Sequence, residues 1–317
     1  MRSTQMKGLT ALAACCTLSL FSSSLLAAED ASCQKARIGL VGWTDVVATT
    51  AVAANLLEGL GYQTTQTQAS QQIIFSGIGK KQVDFFLGYW KPLMDDNIKP
   101  FQDKGEVKVL AEPGLSDGIS SLAVPTYLAE AGLRTYADIA KFRDQLEGKI
   151  YGIDPGTGAN TTIQKMIDTN QFGLGGFKLV ESSEAAMLAA VSRAVKAKKP
   201  VVFFGWKPHP MNIKMDLTYL TGSEDVFGAD EGLATVWTVV APDYAQRCPN
   251  VDRLLNNLTF SAAQESELME PIMAREDAKA VARRWLKENP QDLDRLLAGV
   301  TTFDGQDGVA AVRAALD

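Results

Sequence analysis

The feature that most constrains this chain is a repeated alternation of short apolar runs with longer helical patterns. Residues 36–42 and 83–89 are short apolar runs, and residues 46–60 between them have a helical pattern. Further apolar runs of this kind occur at residues 149–153 and 201–204. Strands that alternate with helices are joined by crossover connections, which favour parallel pairing. The sequence therefore predicts an α/β fold with largely parallel sheets.

Two sets of these segments are followed by a tail that is nearly all helical, which predicts two lobes. Polar, glycine-bearing segments at residues 114–118 and 222–232 separate the sets. We therefore expect residues 29–117 and 223–317 to form one lobe and residues 118–222 to form the other. A ligand cleft would lie between the lobes, as in a clamshell.

The N-terminus has the three parts of a secretory signal peptide. Arg2 and Lys7 form a short basic region, an apolar stretch covers residues 9–26, and two alanines follow. This pattern predicts that residues 1–28 are a signal peptide and that the mature protein is periplasmic. A lipoprotein box ending at Cys15 is the alternative, but it leaves too few apolar residues before the cysteine.

Removal of the signal would leave two of the four cysteines and a more acidic chain. Cys33 and Cys248 remain, and an even pair in an oxidising compartment favours a disulfide. Two unpaired buried thiols are the alternative. The loss of Arg2 and Lys7 changes the formal net charge from −6 to −8. An acidic chain without a basic run is a poor nucleic-acid binder, so no nucleic-acid partner is expected.

Few residues of the chain are suited to catalysis or to metal binding. His209 is the only histidine, and the sequence contains no Gly-x-Ser-x-Gly elbow. These facts disfavour Ser-His-Asp chemistry, and without His and Cys clusters no metal site is expected. Asp95 and Asp96 lie in a polar helical stretch, where a solvated face is the expectation. We predict that the protein is not an enzyme.

The turn at residues 156–159 has part of a dinucleotide-binding pattern. Gly156 and Gly158 follow a predicted strand and open a helix, but Thr161 stands where that pattern has its third glycine. An exported protein also meets little nicotinamide cofactor, so no cofactor is expected. The same turn presents backbone N–H groups at a helix N-terminus, which suits a small anion such as a carboxylate.

Three of the five tryptophans have equivalent positions relative to the predicted strands. Trp43, Trp90 and Trp206 each follow a strand directly, where open α/β sheets place their ligand sites. The alternative is that they are large core residues placed there by chance. Trp237, in mid-strand, and Trp285, in a helical pattern, fit a core role.

Converging aromatic rings form a suitable site for a methylated ammonium. Such a cation has no N–H to donate, so ring quadrupoles and dispersion bind it. Asp45, two residues after Trp43, is the candidate counter-charge, and an N-cap for the helix at Val46 is its other possible role. Two other functions stay open: a binding protein for an ordinary amino acid, and a secreted enzyme with a clamshell active site.

Several motifs together resemble the choline, glycine betaine and carnitine substrate-binding proteins of ABC importers. They are Gly42-Trp43-Thr44-Asp45, Leu87-Gly88-Tyr89-Trp90-Lys91-Pro92, Gly152-Ile153-Asp154-Pro155-Gly156 and Gly205-Trp206-Lys207-Pro208-His209-Pro210-Met211. The resemblance implies a two-lobed type II binding-protein fold that works with an ABC permease and its ATPase. It also implies a cage of Trp43, Trp90 and Trp206, with Asp45 facing the cation. Cys33 and Cys248 resemble the pair that is bridged in choline-binding relatives.

The chain departs from that family pattern at the other end of the implied site. Choline-binding relatives have a cage tyrosine where this chain has Ile119-Ser120, and an asparagine where Thr157 stands. Some betaine binders have a histidine where Met94 lies. We expect Ser120, Thr157 and Gly158 to contact the ligand and His209 to be structural. The small hydroxyl residues and the helix N-terminus favour a carboxylated ligand, such as carnitine or a betaine, over choline.

Overall fold

The computed structural model describes Met1 and residues 29–317. Apart from Met1, the predicted signal peptide lies outside the described residues. Within the described part of the chain, no helix combines the length and the apolar character needed to cross a membrane.

The first elements of the described chain alternate strand with helix. They are β1 (Lys35–Leu40), α1 (Thr44–Gly59), β2 (Gln63–Gln68), α2 (Gln71–Gly79), β3 (Phe85–Lys91), α3 (Asp95–Asp103) and β4 (Lys108–Val109). Helix α1 is rich in alanine, valine and leucine and is buried along most of its length. A helix that is apolar on all sides needs cover on all sides, and helices from the end of the chain pack against α1.

The middle of the chain repeats the alternation with shorter elements. They are β5 (Leu115–Pro125), α4 (Thr126–Glu130), α5 (Tyr136–Ile139), β6 (Lys149–Tyr151), α6 (Gly158–Asp168), β7 (Lys178–Val180), α7 (Glu184–Lys196), β8 (Phe203–Lys207), α8 (Met211–Lys214) and β9 (Leu217–Tyr219). Helix α6 begins at Gly158, because Thr157 caps it by accepting a hydrogen bond from the Asn160 N–H.

One strand and a series of helices complete the chain. They are α9 (Ala229–Gly232), β10 (Leu233–Val240), α10 (Tyr244–Arg247), α11 (Pro249–Asn257), α12 (Ala262–Met273), α13 (Ala278–Glu288), α14 (Pro290–Leu296) and α15 (Gly308–Leu316). The predicted helical tail is thus confirmed. Helices α12, α13 and α15 are the ones that cover α1.

The strands form one mixed sheet in the order β2-β1-β3-β10-β5-β8-β6-β7, with β4 beside β10 and β9 beside β5. Strands β1, β2 and β3 pair in parallel, as do β6, β7 and β8. Strand β10 is antiparallel to β3 and β5, and β5 is antiparallel to β8. The prediction of largely parallel sheets is therefore wrong for the centre of the sheet. There, β5 and β10 carry the chain in opposite directions between the same two groups of strands.

Strands β5 and β10 join two units. We call β1–β4 with α1–α3 and α10–α15 the first unit, and β6–β9 with α4–α8 the second unit. Strand β5 pairs with β10 between Leu115 and Ile119, and with β8 between Ile119 and Ala123. It therefore leaves one unit and enters the other within a single strand.

A disulfide between Cys33 and Cys248 ties the end of the chain to its beginning, as predicted. Cys33 lies just before β1, and Cys248 lies between α10 and α11. Next to the bridge, the buried carboxylate of Asp84 accepts hydrogen bonds from the Arg37 side chain at 2.9 Å and from the Arg247 side chain at 3.1 Å. The helical tail is thus attached to the first unit both covalently and through a buried ion-pair cluster.

Replacing Cys33 and Cys248 together by serine should lower the free energy of unfolding by about 2–5 kcal/mol. The physical reason is that a bridge between residues 215 positions apart restricts the unfolded chain. Urea unfolding followed by circular dichroism measures the effect. The wild-type protein in excess reductant is the matched control and should unfold at the same urea concentration as the double variant. Equal midpoints for the variant and the oxidised wild type would contradict this role.

Candidate functional site

An apolar cavity lies where the two units meet, next to the strands that join them. It contains about 400 Å³ of empty space, a figure that includes its open mouth. Residues of both units line it: Trp43, Asp45, Gln71, Trp90, Leu93, Met94, Ile153, Thr157, Gly158, Ala159, Phe204 and Trp206. Six of the seven residues predicted to bind the ligand are thus brought together, and Ser120 is the exception.

The three predicted tryptophans converge on the cavity from three different elements. Trp43 lies in the turn between β1 and α1, whereas Trp90 and Trp206 are the last residues but one of β3 and β8. Each is less than a tenth exposed. Only Trp43 therefore follows its strand, as predicted. Trp90 and Trp206 lie inside their strands because Val236 and Ser120 on the neighbouring strands pair with them and extend the ladders.

Hydrogen bonds and ring packing hold the indoles in place. Trp43 Nε1 donates to Asp154 at 3.2 Å across the two units. Trp90 Nε1 donates to Asp45 Oδ2 at 2.9 Å. The Trp206 ring meets the His209 ring edge-on, with centroids 4.8 Å apart. Because the polar edges of Trp43 and Trp90 are engaged, these two rings meet a cavity occupant through apolar surface.

Phe204 is a fourth aromatic residue of the cavity, and the sequence prediction missed it. It precedes Trp206 by two residues in β8, and side chains two apart in a strand lie on the same face. The two rings are nearly parallel, at 27°, with centroids 5.8 Å apart. This two-residue spacing is the sequence signal that predicts it.

Asp45 places a buried carboxylate in the cavity wall. It is 3% exposed and lies in the first turn of α1. Burial, and then the charge of Glu184, raise the pKa of Asp45 to about 6, and the Trp90 hydrogen bond partly opposes this rise. The alternative role of Asp45 as an N-cap is wrong, because α1 begins at Thr44 and Trp43 is its N-cap residue.

A second buried acid, Glu265, lies on α12 behind Asp45. Burial raises its pKa well above the usual range, and the charges of Asp45 and Asp117 raise it further. These shifts favour the protonated form of Glu265. Of the two acids, Asp45 is the one that lines the cavity.

The N-terminus of α6 forms another part of the wall. Thr157 and Gly158 line the cavity there, and the N–H groups of Gly158 and Ala159, as the first two of the helix, have no intrahelical acceptor. A Cβ at Gly158 would lie only 1.7 Å from the Leu93 carbonyl oxygen. Glycine is thus required at residue 158 for the two units to approach this closely.

Ser120 does not line the cavity. It is fully buried in β5, directly opposite Trp206 in the register with β8. Paired residues of antiparallel strands project to the same face, so Ser120 is a neighbour of Trp206 within the sheet. Its hydroxyl has no hydrogen-bond partner among the described residues.

A buried polar network centred on Glu184 connects the two units beside the cavity. Glu184, the first residue of α7, accepts hydrogen bonds from the backbone N–H of Thr44 at 2.9 Å and from its hydroxyl. His209 accepts from the Met211 N–H through Nδ1 at 3.0 Å, so its Nε2 carries the proton and donates to Glu184 at 3.1 Å. His209 thus has the structural role expected of it, whereas the role of Glu184 depends on a contact between units and was not predicted.

Among residues 29–317, no group of three or more His, Cys, Asp or Glu side chains is arranged to hold a metal ion.

Replacing Glu184 by alanine should let the two units move further apart, because it removes the side chain that accepts hydrogen bonds from Thr44 of the other unit. Small-angle X-ray scattering should then give a larger radius of gyration than that of the wild-type protein under the same conditions. Glu130→Ala, on an exposed part of α4, is the matched control and should leave the radius unchanged. An unchanged radius for Glu184→Ala would show that the network does not hold the units together.

Solved structures of binding proteins have the same fold as this chain. A choline-binding protein of an ABC transporter, in complex with choline, superposes with a TM-score of 0.88 at 46% identity, covering 91% of this chain and all of that one. A lactococcal protein in its closed form with glycine betaine superposes with a TM-score of 0.75 at 24% identity, covering 83% of this chain and 98% of that one. The predicted two-lobed α/β binding-protein fold is therefore confirmed.

Two proteins of similar sequence and one family model also match this chain. The glycine betaine/carnitine transport binding protein GbuC of Listeria monocytogenes is 31% identical over 164 residues, 52% of this chain and 54% of that protein. An uncharacterised protein of Chromohalobacter salexigens is 39% identical over 128 residues, 40% of this chain and 82% of that protein. The family model described as the substrate binding domain of ABC-type glycine betaine transport systems matches residues 34–288. This chain belongs to that family.

Proposed function

We propose that this protein captures a quaternary ammonium compound in its aromatic cavity and delivers it to the permease and ATPase of an ABC importer. The observation that carries the proposal is the set of four aromatic rings around a cavity with a single buried carboxylate. A methylated ammonium cannot donate hydrogen bonds, and ring faces contribute about 0.5–2 kcal/mol each to its binding. Micromolar affinity requires about 8 kcal/mol, so methyl-group burial and the Asp45 charge would supply the remainder.

We further propose specific roles for the residues of the wall. Trp43, Trp90, Trp206 and Phe204 would form the cage, and Asp45 would balance the positive charge. The start of α6, at Thr157 and Gly158, would contact the other end of the ligand through its free N–H groups. The similarity to a protein whose structure contains choline, at 46% identity, supports this assignment.

We propose that the ligand closes the two lobes on each other. The expected lobes, residues 29–117 with 223–317 and residues 118–222, meet near Ile119, where β5 changes its partner from β10 to β8. Closure about β5 and β10 would be compatible with both pairings. The signal pattern supports capture in the periplasm.

Two rival functions make different predictions for the same cavity. The ammonium of an ordinary amino acid needs several hydrogen-bond acceptors, whereas the lining is mostly aromatic and aliphatic. A clamshell enzyme would convert its ligand, whereas the family is one of transport-system binding domains. Calorimetry of the wild-type protein with choline, carnitine, glycine betaine and common amino acids distinguishes the ligand classes. Chemical turnover of any of these compounds would indicate an enzyme, and tighter binding of an amino acid would refute the proposal.

Replacing Trp90 by alanine should weaken binding of the preferred quaternary ammonium compound by at least about tenfold, or about 1.4 kcal/mol. It removes one ring face and the hydrogen bond to Asp45. Isothermal calorimetry measures the change, with Trp237→Phe, outside the cavity, as the control. If Trp43, Trp90 and Trp206 can each be replaced by alanine with unchanged affinity, the cage is wrong.

Binding should weaken as the pH falls below about 6, the pKa of Asp45 in the ligand-free cavity. A proton and a cationic ligand compete for the same carboxylate, so affinity is highest above this pKa and is lost as the pH falls through it. Between pH 8 and pH 5 we expect about a tenfold loss. Asp45→Asn should bind weakly at both values with no such dependence. A wild-type affinity that stays constant from pH 8 to pH 5 would exclude a charged role for Asp45.

A further inference from the structure

Gln71 brings a buried hydrogen-bond acceptor to the cavity wall. The side chain belongs to the first residue of α2, is 2% exposed and lines the cavity. Its amide oxygen, Oε1, is buried and has no hydrogen-bond partner among the described residues. A buried acceptor without a donor is unfavourable, which makes such atoms rare unless a bound molecule satisfies them.

The orientation of this amide follows from its neighbour on the other unit. Gln71 Nε2 faces the Gly156 carbonyl at 3.4 Å, and the neighbouring Gln72 Nε2 donates to the same carbonyl at 2.5 Å. A carbonyl oxygen can only accept hydrogen bonds, so the amide nitrogen of Gln71 must face it. The amide oxygen of Gln71 is then the atom left without a partner. Because Gly156 lies two residues before the start of α6, Gln71 lies at the α6 end of the cavity.

We propose that Gln71 Oε1 accepts a hydrogen bond from a hydroxyl group of the ligand, so that the site selects quaternary ammonium compounds that carry a hydroxyl group. This inference rests on the proposed function and specifies its substrate class. A hydroxyl both donates and accepts. It would donate to Gln71 while its oxygen accepts from the N–H groups of Gly158 or Ala159, which line the same cavity.

The candidate ligands differ in whether they carry a hydroxyl group that can donate to Gln71. A carboxylate at neutral pH has no proton to donate, so glycine betaine would leave Gln71 Oε1 unpaired and would place a negative oxygen near it. Choline and carnitine both carry a hydroxyl, and carnitine adds a carboxylate for the α6 N–H groups. Loss of a hydrogen bond in a site built around it is a strong basis for discrimination.

The test compares choline with its O-methyl ether, which keeps the trimethylammonium and the ether oxygen but lacks the proton. Isothermal calorimetry with the wild-type protein should show choline binding about tenfold more tightly. In Gln71→Met, which has a similar length but no acceptor oxygen, the two compounds should bind within about twofold of each other.

Gln72→Met is the matched control, because it also removes a hydrogen bond to the Gly156 carbonyl but leaves Gln71 in place. It should retain the tenfold preference for choline. Equal binding of both compounds by the wild-type protein would contradict the proposed role of Gln71. So would a full preference for choline in Gln71→Met, which would mean that the methyl group of the ether is excluded by its size alone. Such results would leave the proposed function intact, whereas no binding of any quaternary ammonium compound would refute both.

Discussion

The hydrogen bond from the Trp90 indole to the buried carboxylate of Asp45 is the interaction on which the cavity depends. It places a negative charge among aromatic rings, away from water, and burial with the nearby Glu184 raises the pKa of Asp45 to about 6. An enclosed carboxylate of this kind is costly until a cation accompanies it. A cationic ligand would therefore stabilise the closed arrangement specifically, which is the thermodynamic condition for coupling capture to closure.

The contacts that hold the units together surround this carboxylate. Trp43 bonds to Asp154 on one side, and Thr44, next to Asp45 in the chain, bonds to Glu184. The approach of Leu93 to Gly158 completes the enclosure. The residues of the cavity wall and those that join the units are thus neighbours in sequence. Under the proposed function, a ligand in the cavity and a closed cleft would favour one another.

Local sequence patterns correctly predicted that these strands and helices exist, but they predicted less accurately the residues at which the elements begin and end. The strands carrying Trp90 and Trp206 extend past these residues because partners on β10 and β5 continue the ladders, and a pairing partner is not visible in the strand's own sequence. Helix α1 begins earlier than predicted, which moves Asp45 from a capping position into the first turn. The place of Phe204 in the cavity could have been predicted, because side chains two apart in a strand lie on the same face. The roles of Glu184 and Gln71 could not, because they depend on contacts between the units.

The sequence by itself determined the α/β class, the pair of cysteines available for a bridge, and the convergence of three tryptophans and Asp45 on one site. These follow from local periodicity, from composition, and from the rule that places ligand sites at strand ends. Only the tertiary structure decided which strands run antiparallel, that Ser120 lies outside the cavity wall, and that Gln71 lies in it. The reason is physical: strand direction, burial and the satisfaction of an amide oxygen depend on residues far apart in the chain, which only packing brings together.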